Sequence, residues 1–141
     1  MAPTPPLSET RLRQIATDAC ESTLGSQSEY VHSSTPSWNS SIINKILEAL
    51  ISETAPARKD QPPAWKFCVN STIIQHPEAV RAGEEDDEDE KEGKGRGKRG
   101  MHAASGAYWN NEKDGMWNFK FQGEEQLGMD VVVTIMWISA I

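Results

Sequence analysis

Apolar positions along the chain repeat with two different periods. Leu12, Ile15, Ala16, Ala19, Cys20 and Leu24 recur at offsets of 3, 4, 7, 8 and 12, the spacing of one helix face. Ser8 stands where a cap belongs, Glu9 suits the positive N-terminal end, and Leu7 with Leu12 has the spacing of a hydrophobic staple. Gly25 is a stop signal. A second, stronger stripe follows: Trp38, Ile42, Ile43, Ile46, Leu47, Leu50 and Ile51. Thr35-Pro36 opens it as a cap followed by proline in the first turn. Three prolines in "ETAPARKDQPP" end it.

The period then changes to two. From Trp65 to His76, Trp65, Phe67, Val69, Ser71 and Ile73 share one face of a strand, and Lys66, Cys68, Asn70, Thr72 and Ile74 share the other. Neither face is cleanly polar, so the pattern predicts a strand covered on both sides along at least part of its length. Met101–Asn110 reads as a strand of small and aromatic residues, "NNEKDG" as a turn, Met116–Phe121 as a strand with Trp117, Phe119 and Phe121 on one face, "QGEEQLG" as a second turn, and Met129–Ile141 as the last strand. Two helices before four antiparallel strands make an α+β arrangement, with the helices packed on one sheet face.

Between the first and second strands the periodicity disappears. Glu84–Glu92 holds eight acidic residues and one lysine, and Lys94–Arg99 alternates basic residues with glycine. Such a run buries too little surface to offset its ordering entropy. The expected organisation is a flexible lead at residues 1–7 and one domain at 8–141, interrupted by a disordered charged insertion at 77–99.

A chain of 141 residues is one domain's worth, and its core is small enough that oligomerisation is a natural way to bury more surface. The formal net charge of −7 disfavours nonspecific binding to nucleic acid or acidic membrane by the whole protein. "KGRGKRG" resembles a short nuclear-localisation or RNA-contacting tract, but it lacks interleaved aromatics. The N-terminus has no apolar signal-peptide core and no run reaches the length of a membrane span, so an intracellular, soluble protein is expected. The glycosylation sequons at Asn39 and Asn70 are then chance, and Cys20 and Cys68 are expected as reduced, buried thiols.

Catalytic and metal-binding signatures are missing from the sequence. His32, His76 and His102 have no metal-ligand spacing to one another or to a cysteine. No nucleophile elbow, phosphate-binding glycine loop or zincin motif occurs. The acidic run lacks the alternating ligands and bend glycine of a calcium loop. A protein with no catalytic activity, no cofactor and no metal is expected. The Met101–Asn110 strand is more informative. Gly106 in a strand interior weakens it and often marks close approach by another backbone. It could instead sit over a helix in a crowded core. The other reading is a strand that pairs across a subunit boundary or accepts an added peptide strand.

Several blocks, in order, resemble the Tctex-type dynein light chains. "YVHSSTPSW" resembles the family's Tyr-x-His segment leading to a Trp at the second helix. "WKFCVNSTIIQ" resembles its first strand, and "GMHAASGAYWNNEKDGMWNFKF" its Gly-[Leu/Met]-His-x-Ala-Ser stretch, running through a Tyr-Trp pair to Asp-Gly. The terminal "ISAI" resembles its short apolar end. The resemblance covers roughly residues 8–76 and 100–141. It departs from the family at the 77–99 insertion and at the longer Pro-rich connection before the first strand, both of which a fold tolerates because loop-closure entropy grows slowly.

The resemblance implies a strand-exchanged homodimer, in which Met101–Asn110 leaves its own subunit and pairs beside the first strand of its mate. A partner peptide would add along that strand, in a groove at the dimer interface. The implied partners are the dynein intermediate chain and cargo proteins, and the implied setting is the cytoplasmic, microtubule-associated dynein complex. The residues implicated are Met101, His102, Ala103, Ala104, Ser105, Gly106, Ala107, Tyr108 and Trp109. Ser105 and Gly106 would permit close backbone approach, Tyr108 and Trp109 would supply flanking contacts, and the second helix would line the groove floor. Two other readings compete: an adaptor or ciliary light chain of the same fold outside cytoplasmic dynein, and a nucleic-acid or basic-protein binder acting through the insertion.

Overall fold

The computed structural model describes residues 4–76, 102, 104–123 and 127–141. The insertion expected at 77–99 lies outside these residues, as do Met101 and Ala103. Helix α1 (Glu9–Leu24) is followed by a 3-10 turn (His32–Ser34), helix α2 (Thr35–Glu53), and strands β1 (Trp65–Gln75), β2 (Gly115–Gln122) and β3 (Met129–Ser139). The sheet order is β1-β3-β2, antiparallel throughout. Among the described residues it has three strands, not the four expected. No described helix is long and apolar enough to cross a membrane.

The six apolar positions of the first stripe are the six buried residues of α1. Ser8 caps the helix, its Oγ accepting from the Arg11 amide at 3.1 Å. Gly25 ends it with its N–H on the Glu21 carbonyl, in right-handed rather than left-handed conformation. Helix α2 begins one residue earlier than the Thr35 cap predicts. The 3-10 turn feeds it directly through Ser34, which is already right-handed, and the Thr35 hydroxyl donates to the His32 carbonyl at 2.7 Å.

Only the i, i+4 line Trp38, Ile42, Ile46 and Leu50 of α2 is buried. The parallel line Ile43, Leu47 and Ile51 is progressively uncovered, and Ile51 is 59% exposed. The two helices are tied across their ends by a two-point pairing of the Arg11 guanidinium with the Glu53 carboxylate, at 2.7 Å for Arg11 Nε to Oε1.

Alternate residues of the central strand, Met129, Val131, Val133, Ile135 and Trp137, are buried with both helix stripes in one core. The register lines Phe67, Trp137 and Gly115 in one row, and Val69, Ile135 and Trp117 in the next. The alternate face of β1 is open: Lys66, Cys68, Asn70 and Thr72 are all exposed. Among the described residues cover on this side of β1 reaches only Ile74, which is half-buried, because both helices lie on the other face. The expectation of a buried thiol fails for Cys68, which is exposed, whereas Cys20 is buried. Burial pushes the Cys20 thiol up to about 12.

Candidate peptide-docking edge

The described part of the predicted second strand forms no strand. His102 and Ala104 to Tyr108 are exposed and irregular, Trp109 is half-buried, and Asn110 is exposed. A strand exists only where its amides and carbonyls meet a neighbour's, and this segment has no such neighbour among the described residues. Gly106 is in open space: a Cβ built there meets nothing within 4 Å. The crowded-core explanation of this glycine therefore finds no support among the described residues.

The downstream end of the segment is firmly held. Asp114, only 5% exposed, accepts from the Asn110 amide through Oδ2 at 2.9 Å and from the Ser139 amide through Oδ1 at 2.6 Å. The Asn110 carbonyl takes the amides of Lys113 and Asp114. The Asp-Gly pair is thus not the tip of a simple hairpin turn. Asp114 clasps the approach to β2 against the end of β3, and Gly115 opens the strand beneath Trp137. A Cβ on Gly115 would lie 2.5 Å from Trp137 Cζ2, so the indole requires glycine there.

Both outer edges of the sheet lack a strand partner among the described residues. They differ in chemistry. The β2 edge lies beside α1, where Arg13 sits 5.4 Å from the centroid of the Phe119 ring. At the far end of the sheet, Asp130 accepts from the Gly123 amide at 3.0 Å, meets His76 Nε2 at 2.9 Å, and lies 3.7 Å from Lys120 Nζ.

The β1 edge lies beside α2, with the Ser71 hydroxyl donating to Asn39 at 2.8 Å. Near the start of β1 an apolar recess of about 370 Å³ opens between Leu47 and Ile51 of α2, Pro56 and Pro63 of the connection, and Trp65 and Phe67 of the strand. Thr54 and Lys66 stand on its lining as polar groups. Sequence reasoning missed this recess. Its signal was the apolar line through Ile51, which continues to the end of α2 where a helix covered on one stripe would have turned polar.

The chemistry of the site is that of a surface for main-chain pairing. An open strand edge offers amides and carbonyls in a row, and the apolar recess offers burial for a side chain beside that row. Among the described residues no three His, Cys, Asp or Glu side chains gather as metal ligands would.

The description of the Tctex-1 family matches residues 6–138. A relative in Schizosaccharomyces pombe, described as "Dynein light chain Tctex-type", is 35% identical over 139 residues, which span 95% of this chain and 96% of that protein. The family match runs from before α1 to the penultimate residue of β3, and on both matches the chain belongs to the Tctex-1 family.

Proposed function

We propose that this protein is a noncatalytic light chain of the cytoplasmic dynein motor, acting as a homodimer that holds intermediate-chain segments, and cargo proteins, by strand addition. The observation that carries the proposal is the exposed segment Ala104–Asn110. Among the described residues it has small side chains, a glycine with nothing around it and no strand neighbour, while the β1 edge stands open. Exchange of this segment between two copies supplies each with what it lacks. The exchanged strand then presents its own outer edge, along which a peptide pairs through main-chain hydrogen bonds. Two such edges per dimer capture bivalent partners with increased avidity. The description of the fission-yeast relative as a dynein light chain supports the motor assignment, and the motor in turn places the protein on microtubules in the cytoplasm.

Sedimentation equilibrium tests the dimer: a species of about 31 kDa is expected from a 15.6 kDa chain. A stable monomer at micromolar concentration overturns strand exchange. Titration of a labelled peptide from the N-terminal region of a dynein intermediate chain tests the partner. Saturable binding supports the proposal, and no binding at tens of micromolar overturns the motor assignment while leaving an adaptor of the same fold. Deleting residues 81–99 should leave peptide affinity unchanged; loss of binding would move the function to the charged segment.

A further inference from the structure

The recess beside β1 has an occupant that the geometry specifies. We infer that it receives the Tyr108 side chain of a second copy of this chain, making Tyr108 the anchor of the exchanged strand. The inference rests on the exchange proposed above and adds its polarity, its facing and its anchoring residue.

Polarity comes first. Every pairing in the sheet is antiparallel. A segment added antiparallel to β1 places its C-terminal end beside the start of β1, at Trp65–Phe67, where the recess opens. Tyr108 stands near that end of the segment. In its own chain it is fully exposed, the most exposed large hydrophobic residue described. A tyrosine suits the recess chemically: its ring fills an apolar hollow and its hydroxyl finds a polar partner at the rim, which Thr54 and Lys66 provide.

The facing follows from alternation. With Tyr108 turned to the helix side of the strand, Gly106 and Ala104 face the same way. Helix α2 runs along β1 in the opposite direction, with Asn39 at Ser71 and Ile51 at Trp65. It therefore runs parallel to the added strand. Its uncovered line Ile43, Leu47, Ile51 spans about 12 Å at a helix's rise per residue. Ala104, Gly106 and Tyr108 span about 13–14 Å at a strand's rise. The two rows are commensurate. The small residues meet the half-buried Ile43 and Leu47, and the aromatic ring passes beyond them to Ile51 and the recess. This explains both why α2 carries a second apolar line that the described residues cover only in part and why Gly106 has no neighbours among them.

Two substitutions and one cross-link test it. Ile51 is mostly exposed, so Ile51→Lys leaves the monomer's core intact, and a lysine near a helix C-terminus is compatible with the helix dipole. Ile51→Lys and Tyr108→Ala should each raise the dimer dissociation constant by at least about tenfold, through a charge placed in an apolar recess or a lost aromatic anchor. Circular dichroism of both should match the native chain. Mixing Ile51→Cys and Tyr108→Cys chains, each also carrying Cys68→Ser, should yield a disulfide-linked heterodimer on mild oxidation, and a Trp109→Cys partner should not. If the native chain dimerises but both substitutions leave its dissociation constant unchanged and no Ile51–Tyr108 cross-link forms, the recess assignment falls while strand exchange stands. If Trp109→Cys cross-links in place of Tyr108→Cys, the facing is reversed and the assignment also falls. If the native chain is monomeric, the exchange itself falls.

Discussion

Replacing Asp114 by alanine tests how the approach to β2 is held. The side chain is 5% exposed and its two oxygens accept from two backbone amides, Asn110 at 2.9 Å and Ser139 at 2.6 Å. These join residues 29 positions apart in sequence at one end of the sheet. Hydrogen bonds to a charged acceptor contribute about 1.5–3 kcal/mol each, and a partly buried amide left without a partner costs about 1–3 kcal/mol. Water reaches part of the vacated space, because the neighbouring turn is exposed, so the lower halves of these ranges apply. Asp114→Ala is therefore expected to destabilise the fold by about 2–4 kcal/mol, or about 8–16 °C in Tm for a domain of this size. Asp114→Asn keeps one carbonyl acceptor but turns an N–H toward the second amide, and should lose at least about half as much. The assay is urea unfolding followed by tryptophan fluorescence. All variants must be compared at one protomer concentration, since a dimer's stability depends on it. An Asp114→Ala midpoint within about 0.5 kcal/mol of the native chain would show that the clasp contributes nothing and refute the reasoning.

Three further substitutions probe other contacts. Gly115→Ala forces a Cβ to within 2.5 Å of the buried Trp137 indole and should cost about 1–3 kcal/mol by overpacking, read as a lower urea midpoint with a changed tryptophan emission. Cys20, with its thiol pushed up to about 12 by burial, should resist thiol reagents until the chain unfolds, while the exposed Cys68 reacts at once. Because the Cys20 pKa is raised on folding, its contribution is full below the ordinary thiol value near 9.0 and is lost as pH climbs from there toward 12. Over that window native stability should fall by up to about 1.4 kcal/mol per pH unit more steeply than that of Cys20→Ala. Glu53 is held below its ordinary carboxylate value of 4.5 by the hydrogen bond from Arg11. The pairing therefore stabilises above that value and is lost as pH falls through the lowered one, so Glu53→Gln should lower stability slightly near neutrality, converge with the native chain at low pH, and so flatten the acid limb of a pH–stability curve.

How much of this was legible in the sequence depends on where each determinant lies. The α1 face was fully readable, since a stripe of six apolar residues at helical spacing has only one way to be buried. The β3 face was readable too, because Met129, Val131, Val133, Ile135 and Trp137 alternate without interruption. Asp114 was not readable as a clasp. Its position before Gly115 looks like turn chemistry, and only the tertiary approach of Ser139 reveals the second amide that it accepts. The recess was hidden for a similar reason: Leu47, Pro56, Pro63 and Trp65 come together only when the connection folds back beside β1.

Met101–Asn110 shows a different limit, which concerns chain identity rather than distance along the chain. Alternation and composition specify that a segment suits an extended, paired conformation, yet hydrogen-bonded pairing carries no label for which molecule supplies the edge. Among the described residues, Ala104–Asn110 has no strand partner and Gly106 has no neighbour. The same residues leave the β1 edge unpaired and the line Ile43, Leu47, Ile51 partly uncovered. Each deficit would be an unexplained cost in a monomer: an unpaired edge invites association, and an apolar line in water forgoes about 25 cal/mol per Å² of burial. The deficits are complementary in kind and in length, a strand without an edge and an edge without a strand. A two-fold axis would satisfy both at once, because the gift and the gap would then be the same in each copy.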